Sequence, residues 1–187
     1  NIAGILIILV IYKIAKQLFK RERYALFSAI IMALDGMHFV QTRIGTVDSL
    51  LLLFCLTSFM FFLKYLYMPK EESIKTRKIP LLLSGTFWGM AISVKWTSAF
   101  VGLGMGILYL IKTIKDREIN LKLLLWSVLS FIIIPIAIYV ASYIPIINNP
   151  NAQLYYAYEN KNGETVSEYI TIKDVGSFIK YQKAMYD

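Results

Sequence analysis

Apolar residues fall in long blocks separated by short, mostly basic connections, not at every second position or on one stripe of a surface helix. Six blocks can be marked: Ile2 to Tyr12, Tyr24 to Val40, Ser49 to Tyr67, Ile79 to Val94, Thr97 to Ile111 and Leu123 to Ile147. A helix rising 1.5 Å per residue needs ~20 residues to cross a bilayer. Each block but the first approaches that length, and the first continues through Leu18 as an amphipathic end. The pattern predicts an all-α fold: a polytopic transmembrane helical bundle with about six spans. Ile79 to Ile111 can also be written as one over-long helix, but that would bury the Lys95 ammonium in hydrocarbon at a cost of ~2.5 kcal/mol or more. Two spans meeting at Lys95 and Trp96 are the better reading.

Composition agrees with a membrane as solvent. Hydrophobic residues make up 57% of the 187 and mean hydropathy is +0.57, more than a water-soluble domain uses. The net charge of +8 is not a nucleic-acid footprint, because the basic residues sit in clusters between apolar blocks instead of along one face. Lys13, Lys16, Lys20, Arg21 and Arg23 against Glu22 leave +4 in the first connection. The connections after the third and fifth blocks hold +3 and +2. Positive loops stay cytoplasmic, so both chain ends and the intervening turns at Asp35 to Asp48 and at Lys95 are expected on the external face, in a multi-pass protein of the cell membrane.

Residues 1–147 are expected to be a transmembrane helical region, part of a larger membrane domain. Residues 148–187 read as an external loop: Asn148, Asn149, Pro150 and Asn151 break the helix, and a polar, tyrosine-rich segment follows. From Asp174, a candidate N-cap, Val175, Phe178, Ile179, Met185 and Tyr186 recur at helical spacing and predict an interfacial helix. The chain begins without Met or a signal sequence and reads as an internal stretch of a longer polypeptide. Cys55, the single cysteine, lies in an apolar block and offers no disulfide framework. No internal repeat, glycosylation sequon or Gly-rich phosphate loop is present.

Candidate chemistry concentrates in LDGMHFVQTRIGTVD, Leu34 to Asp48. If the second helix continues to Arg43, then Asp35, His38 and Gln41 or Thr42 share a polar stripe that lipid would not tolerate cheaply. Arg43 then emerges near the outer headgroups. Each residue also has a plainer role: Arg43 and Lys95 as snorkelling cations, Asp48 as a helix N-cap, His38 and Asp35 as internal hydrogen-bonding groups, and Trp96 as an interfacial anchor. One His and scattered acids give no metal-ligand spacing, so no metal and no cofactor are expected. An Asp-x-Asp pair for a nucleotide-sugar donor is also missing from the exterior face. Two separated cations, Arg43 and Lys95, with carboxylates nearby suit a lipid-linked phosphate, whose charge rises as its sugar departs.

Three stretches carry a resemblance: HFVQTRIGTVDSLLLLF (His38 to Phe54), GMAISVKWTSAF (Gly89 to Phe100) and IPIAIYVASYIP (Ile134 to Pro145), with FIKYQKAMYD (Phe178 to Asp187) as a weaker fourth. They resemble the protein O-mannosyltransferases, lipid-carrier-dependent glycosyltransferases of GT-C architecture. The resemblance implies transfer of mannose from a polyprenyl-phosphate donor to Ser or Thr hydroxyls of exported proteins, with inversion at the sugar carbon. It places the carrier phosphate on Arg43 and Lys95, with Asp48 orienting Arg43 or capping its helix and Asp35, His38, Gln41 and Trp96 in support. The principal acidic catalytic pair of such enzymes lies on an external loop after the first membrane helix, upstream of Asn1, so no catalytic base is assigned here. The partners implied are the lipid-linked sugar, an exported protein acceptor and membrane lipid. A related transferase acting on lipid or polysaccharide is the alternative within this class; a transporter or flippase built on the Asp35, His38 and Gln41 stripe is the alternative outside it.

Overall fold

The computed structural model describes residues 2–69, 71–116, 120–149, 154–159, 165–172 and 175–184. The elements are α1 (Ile2–Phe19), α2 (Glu22–Leu34), α3 (Gly36–Ile44), α4 (Val47–Leu66), α5 (Ile74–Val94), a 3₁₀ turn (Trp96–Ser98), α6 (Ala99–Asp116), α7 (Leu121–Val128), a π turn (Leu129–Ile133), α8 (Ile134–Ser142), α9 (Ile144–Ile147), β1 (Leu154–Glu159), β2 (Thr165–Ile170) and α10 (Val175–Ala184). Two compact units follow from their contacts, residues 1–139 and 140–187.

The helical membrane fold stands, but the count of six spans does not. Among the described residues four helical segments are long and apolar enough to cross a membrane: Ile2–Phe19, Val47–Leu66, Trp96–Asp116 and Leu121–Ile147. A fifth is added if α2 and α3, bent by 59°, form one span. The segment that falls short is α5. Its apolar block is diluted by Lys75, Arg77 and Lys78 in the first turns and by Pro80, Ser84, Thr86 and two glycines beyond them.

The break at Lys95 falls as expected: α5 stops at Val94 and Lys95 is extended, with φ −160° and ψ 132°. The second block, read as one helix to Arg43, is instead interrupted. Asp35 is extended and caps α3, its carboxylate accepting from the backbone N–H of Met37 (3.4 Å) and His38 (3.0 Å). An Asp followed by Gly is a strong breaker and N-cap signal, and here it wins over the apolar periodicity. The continuous polar stripe from Asp35 to Gln41 is therefore replaced by a cap and a separate nine-residue helix.

In the first unit, α4 and α5 are antiparallel. The start of α4 meets the end of α5 through Asp48 and Lys95 (3.1 Å), while Arg77 near the start of α5 lies over the Tyr65 ring near the end of α4 (5.8 Å). Midway, the Ser58 hydroxyl donates to the Ser84 carbonyl at 2.8 Å, with both residues fully buried and Met105 of α6 alongside. At the far end the Lys112 ammonium of α6 donates to the carbonyls of Leu66 and Met68 (3.0 and 3.3 Å), satisfying groups left open where α4 ends, and pairs with Asp116 at 3.1 Å. Helix α1 packs beside α4 through Ile7, Val10 and Ile14 against Leu53, Met60 and Leu63. The basic connections thus gather at one end of the unit, and Asp48 and Lys95 at the other.

Close backbone approach comes from glycine. A Cβ on Gly85 would stand 1.8 Å from the Ser130 carbonyl oxygen, and one on Gly89 would stand 2.8 Å from the Pro135 Cα. This Gly-x-x-x-Gly spacing puts both on one face of α5. Opposite them the helix widens into the π turn just before Pro135, a residue that cannot donate to the carbonyl four positions back.

The second unit holds an antiparallel β1–β2 hairpin, which the sequence pattern did not predict, and α10, which it did. Asp174, Met185 and Tyr186, part of that expectation, lie outside the described residues. Tyr155 and Tyr169 pair across the strands with ring centres 5.4 Å apart. The ring of buried Tyr143 stands perpendicular to those of Phe178 and Tyr181 from α10, with centres 5.1 and 6.1 Å away, and Lys180 pairs with Glu168 at 2.6 Å.

Replacing Gly85 by Ala in the full-length protein should destabilise it by about 1–3 kcal/mol through overpacking against Ser130. Gly104→Ala, where an added Cβ meets nothing within 4 Å, should be neutral or stabilising by ~1 kcal/mol from helix propensity. Thermal unfolding of the two variants in detergent checks the contrast.

Candidate functional site

The end of the first unit opposite the basic connections is built from the α2–α3 bend, the α3–α4 turn and the α5–α6 turn. Gly45 terminates α3 in the left-handed region (φ 73°), a conformation that costs little only without a Cβ. The chain then reverses into α4. Thr46 is the N-cap of α4 by backbone position but donates its hydroxyl to the Gln41 carbonyl (3.3 Å), as does Ser49 (3.3 Å). These two bonds tie the start of α4 onto α3.

Asp48 is accordingly not the cap expected from the sequence. It sits one residue inside the first turn of α4, where the helix dipole favours a carboxylate. Its ion-pair partner is Lys95, not Arg43. The two side chains are half-exposed, 46% for Asp48 and 50% for Lys95, so the pair is worth no more than about 1 kcal/mol. Such a pair holds Lys95 in position while leaving it open to a stronger anion.

Arg43 is exposed and makes no ion pair among the described residues. Its guanidinium lies over the Phe39 ring, one turn back on α3, at 4.4 Å from the centroid. That stacking steadies the planar fork without consuming its donors. Lys95 is in contact with Asp48, and Arg43 lies in the last turn of α3, five residues before Asp48 in the chain, so this end of the unit carries two cations against that carboxylate.

Trp96 is exposed, donates its indole N–H to the Tyr139 hydroxyl at 3.1 Å and meets that ring edge-on at 5.9 Å. Tyr139 was missed in the sequence; no local pattern links it to a residue 43 positions away. His38 is 8% exposed and Gln41 is exposed. With Asp35, Thr42, Asp48 and Ser49 they line a cavity of about 100 Å³ between α1, α3 and α4. Among the described residues no three His, Cys, Asp or Glu side chains gather as a metal ion would need.

Residues 1–156 match the family model described as dolichyl-phosphate-mannose-protein mannosyltransferase. The chain is 28% identical over 118 residues to dolichyl-phosphate-mannose--protein mannosyltransferase 6 of Saccharomyces cerevisiae, covering 59% of this chain and 16% of that protein. It is 22% identical over 110 residues to the polyprenol-phosphate-mannose--protein mannosyltransferase of Mycolicibacterium smegmatis, covering 57% of this chain and 20% of that one. The chain thus spans a fifth or less of the length of these curated relatives. No solved structure matches it. A family match over well over half of the chain, on a helical membrane fold, establishes that it belongs to the dolichyl-phosphate-mannose-protein mannosyltransferases.

Proposed function

We propose that this stretch supplies the carrier-phosphate site of a membrane glycosyltransferase that moves mannose from a polyprenyl-phosphate donor to Ser or Thr hydroxyls of exported proteins. The observation that carries the reading is two accessible cations at this end of the unit: Arg43, with all its donors uncommitted to carboxylates among the described residues, and Lys95, held by a weak, half-exposed ion pair with Asp48. Cleaving the bond between the sugar carbon and the phosphate oxygen leaves its electrons on that oxygen, so the phosphate gains negative charge. Fixed cations stabilise it more in the transition state than in the bound donor. Arg43 offers a planar fork to two phosphate oxygens and Lys95 a point charge.

No base role is assigned to Asp35 or Asp48. The first spends its carboxylate on the N-terminus of α3 and the second on Lys95. On this reading the working face is external: Lys13 to Arg23, Lys75 to Lys78 and Lys112 to Lys115 gather at the opposite end, and basic connections stay on the cytoplasmic side.

In the full-length protein in membranes, Arg43→Ala and Lys95→Ala should each lower kcat/KM for mannose transfer by about 10²-fold, the cost of losing one charge-stabilising group. The protein should remain inserted, since the Lys95 ion pair is worth at most about 1 kcal/mol. Transfer unchanged in both variants would overturn the assignment. Orientation is checked separately by introducing single cysteines at Thr97 and Lys115, both exposed, in a background lacking other cysteines. A membrane-impermeant maleimide should label position 97 in intact cells and position 115 only after permeabilisation.

A further inference from the structure

The cavity between α1, α3 and α4 is lined by six polar side chains, Asp35, His38, Gln41, Thr42, Asp48 and Ser49. Nearly all of them are engaged locally. Asp35 accepts from the backbone of α3, Thr42 donates to the carbonyls of His38 and Phe39, Ser49 donates to the Gln41 carbonyl, and Asp48 holds Lys95. The exception among the buried groups is His38. Its backbone is satisfied at both ends, but its imidazole has no hydrogen-bond partner among the described residues, although the residue is more than nine-tenths buried and lines the cavity. The unpartnered imidazole nitrogens are not sealed in protein but open onto this cavity, where a hydrogen-bonding group of a ligand can take the place of water.

The ligand's character follows from the walls. Ile7 and Leu52 close the apolar side, and two carboxylates, Asp35 and Asp48, face the space, which disfavours an anion within it. An imidazole can donate or accept one hydrogen bond, and the carboxylates retain free lone pairs. Donors and acceptors of this kind in a small, partly apolar pocket suit a neutral hydroxyl-bearing group. Asp48 is common to this cavity and to the Lys95 ion pair, so a group bound here lies next to a phosphate bound there.

We infer that the cavity walled by His38, Asp35, Gln41 and Asp48 is a hydroxyl-binding subsite of the transferase, with the His38 imidazole hydrogen-bonding a hydroxyl of the substrate. This inference rests on the carrier-phosphate reading above. The hydroxyl belongs either to the sugar of the donor or to the acceptor side chain, and His38 acts in binding and positioning with no bond made or broken on it.

The full-length protein in membranes tests it in two ways. His38→Leu should raise KM about tenfold for one substrate, the donor or the acceptor peptide, and His38→Gln, which keeps a hydrogen-bonding end, should recover much of the loss. A merely structural histidine would instead lower the yield of folded protein in both variants and leave both KM values unchanged, which overturns the inference. Activity that needs Lys95 but is indifferent to His38 also overturns it while sparing the carrier-phosphate reading. Independently of turnover, His38→Cys in a background with Cys55→Ser and no other cysteine is labelled with methyl methanethiosulfonate. Slower labelling with polyprenyl-phosphate-mannose but not with polyprenyl phosphate assigns the hydroxyl to the sugar. Slower labelling with a Ser/Thr peptide assigns it to the acceptor. Labelling that is unaffected by either substrate, or slowed equally by polyprenyl phosphate alone, refutes a hydroxyl subsite at His38.

Discussion

Ser58 and Ser84 meet between α4 and α5 where neither has any exposure, and the bond from the Ser58 hydroxyl to the Ser84 carbonyl pins the two helices near their midpoints. In hydrocarbon, apolar side chains gain little by choosing one another over lipid, so close packing and buried hydrogen bonds must set which helices adjoin and in what register. The consequences run to both ends of the pair. One end brings Lys95 to Asp48, and the other brings Arg77 over Tyr65. A slide of one helical turn, about 5.4 Å, would separate Lys95 from Asp48. The order of the site is thus inherited from an uncharged contact deep in the unit.

The same logic accounts for α5. It is too polar along its first turns to count as a membrane span by composition, yet it lies against α4 and the π turn, with Gly85 and Gly89 admitting the Ser130 carbonyl and Pro135 to near-backbone distance. Leu81, Ser84 and Gly85 are buried there. Polarity that would be costly toward lipid is acceptable in a helix that faces protein.

Much of this was legible in the sequence for a plain reason: apolar blocks of spanning length have few alternative structures. The stop at Lys95 could be read because an ammonium has nowhere to go in mid-membrane. The site's cations were legible too, as charges at the ends of such blocks. Their partnerships were not. Asp48 and Lys95 are 47 residues apart, and only the antiparallel register of α4 and α5 unites them. The bend at Asp35 was signalled by Asp-Gly and outweighed by the apolar run that contains it. The β1–β2 hairpin was concealed differently: its tyrosines bear a polar hydroxyl on an aromatic ring, so alternation along the strands is faint. Asn162 and Gly163 between them were the readable turn signal.

That bend also separates two tasks that a straight helix would combine. A rod crossing the bilayer must tilt when the hydrocarbon thickens or thins, and a cation at its tip would sink or rise with it. Here α2 is only 13 residues long, and Arg43 rides on α3, a short helix with its own cap at Asp35 and its own stop at Gly45, tied at Gln41 to the start of α4. The depth of Arg43 is therefore referenced to α4 instead of to the lipid around α2. A change of tilt in α2 therefore reaches Arg43 only across the 59° bend at Asp35, while α3 stays tied to α4.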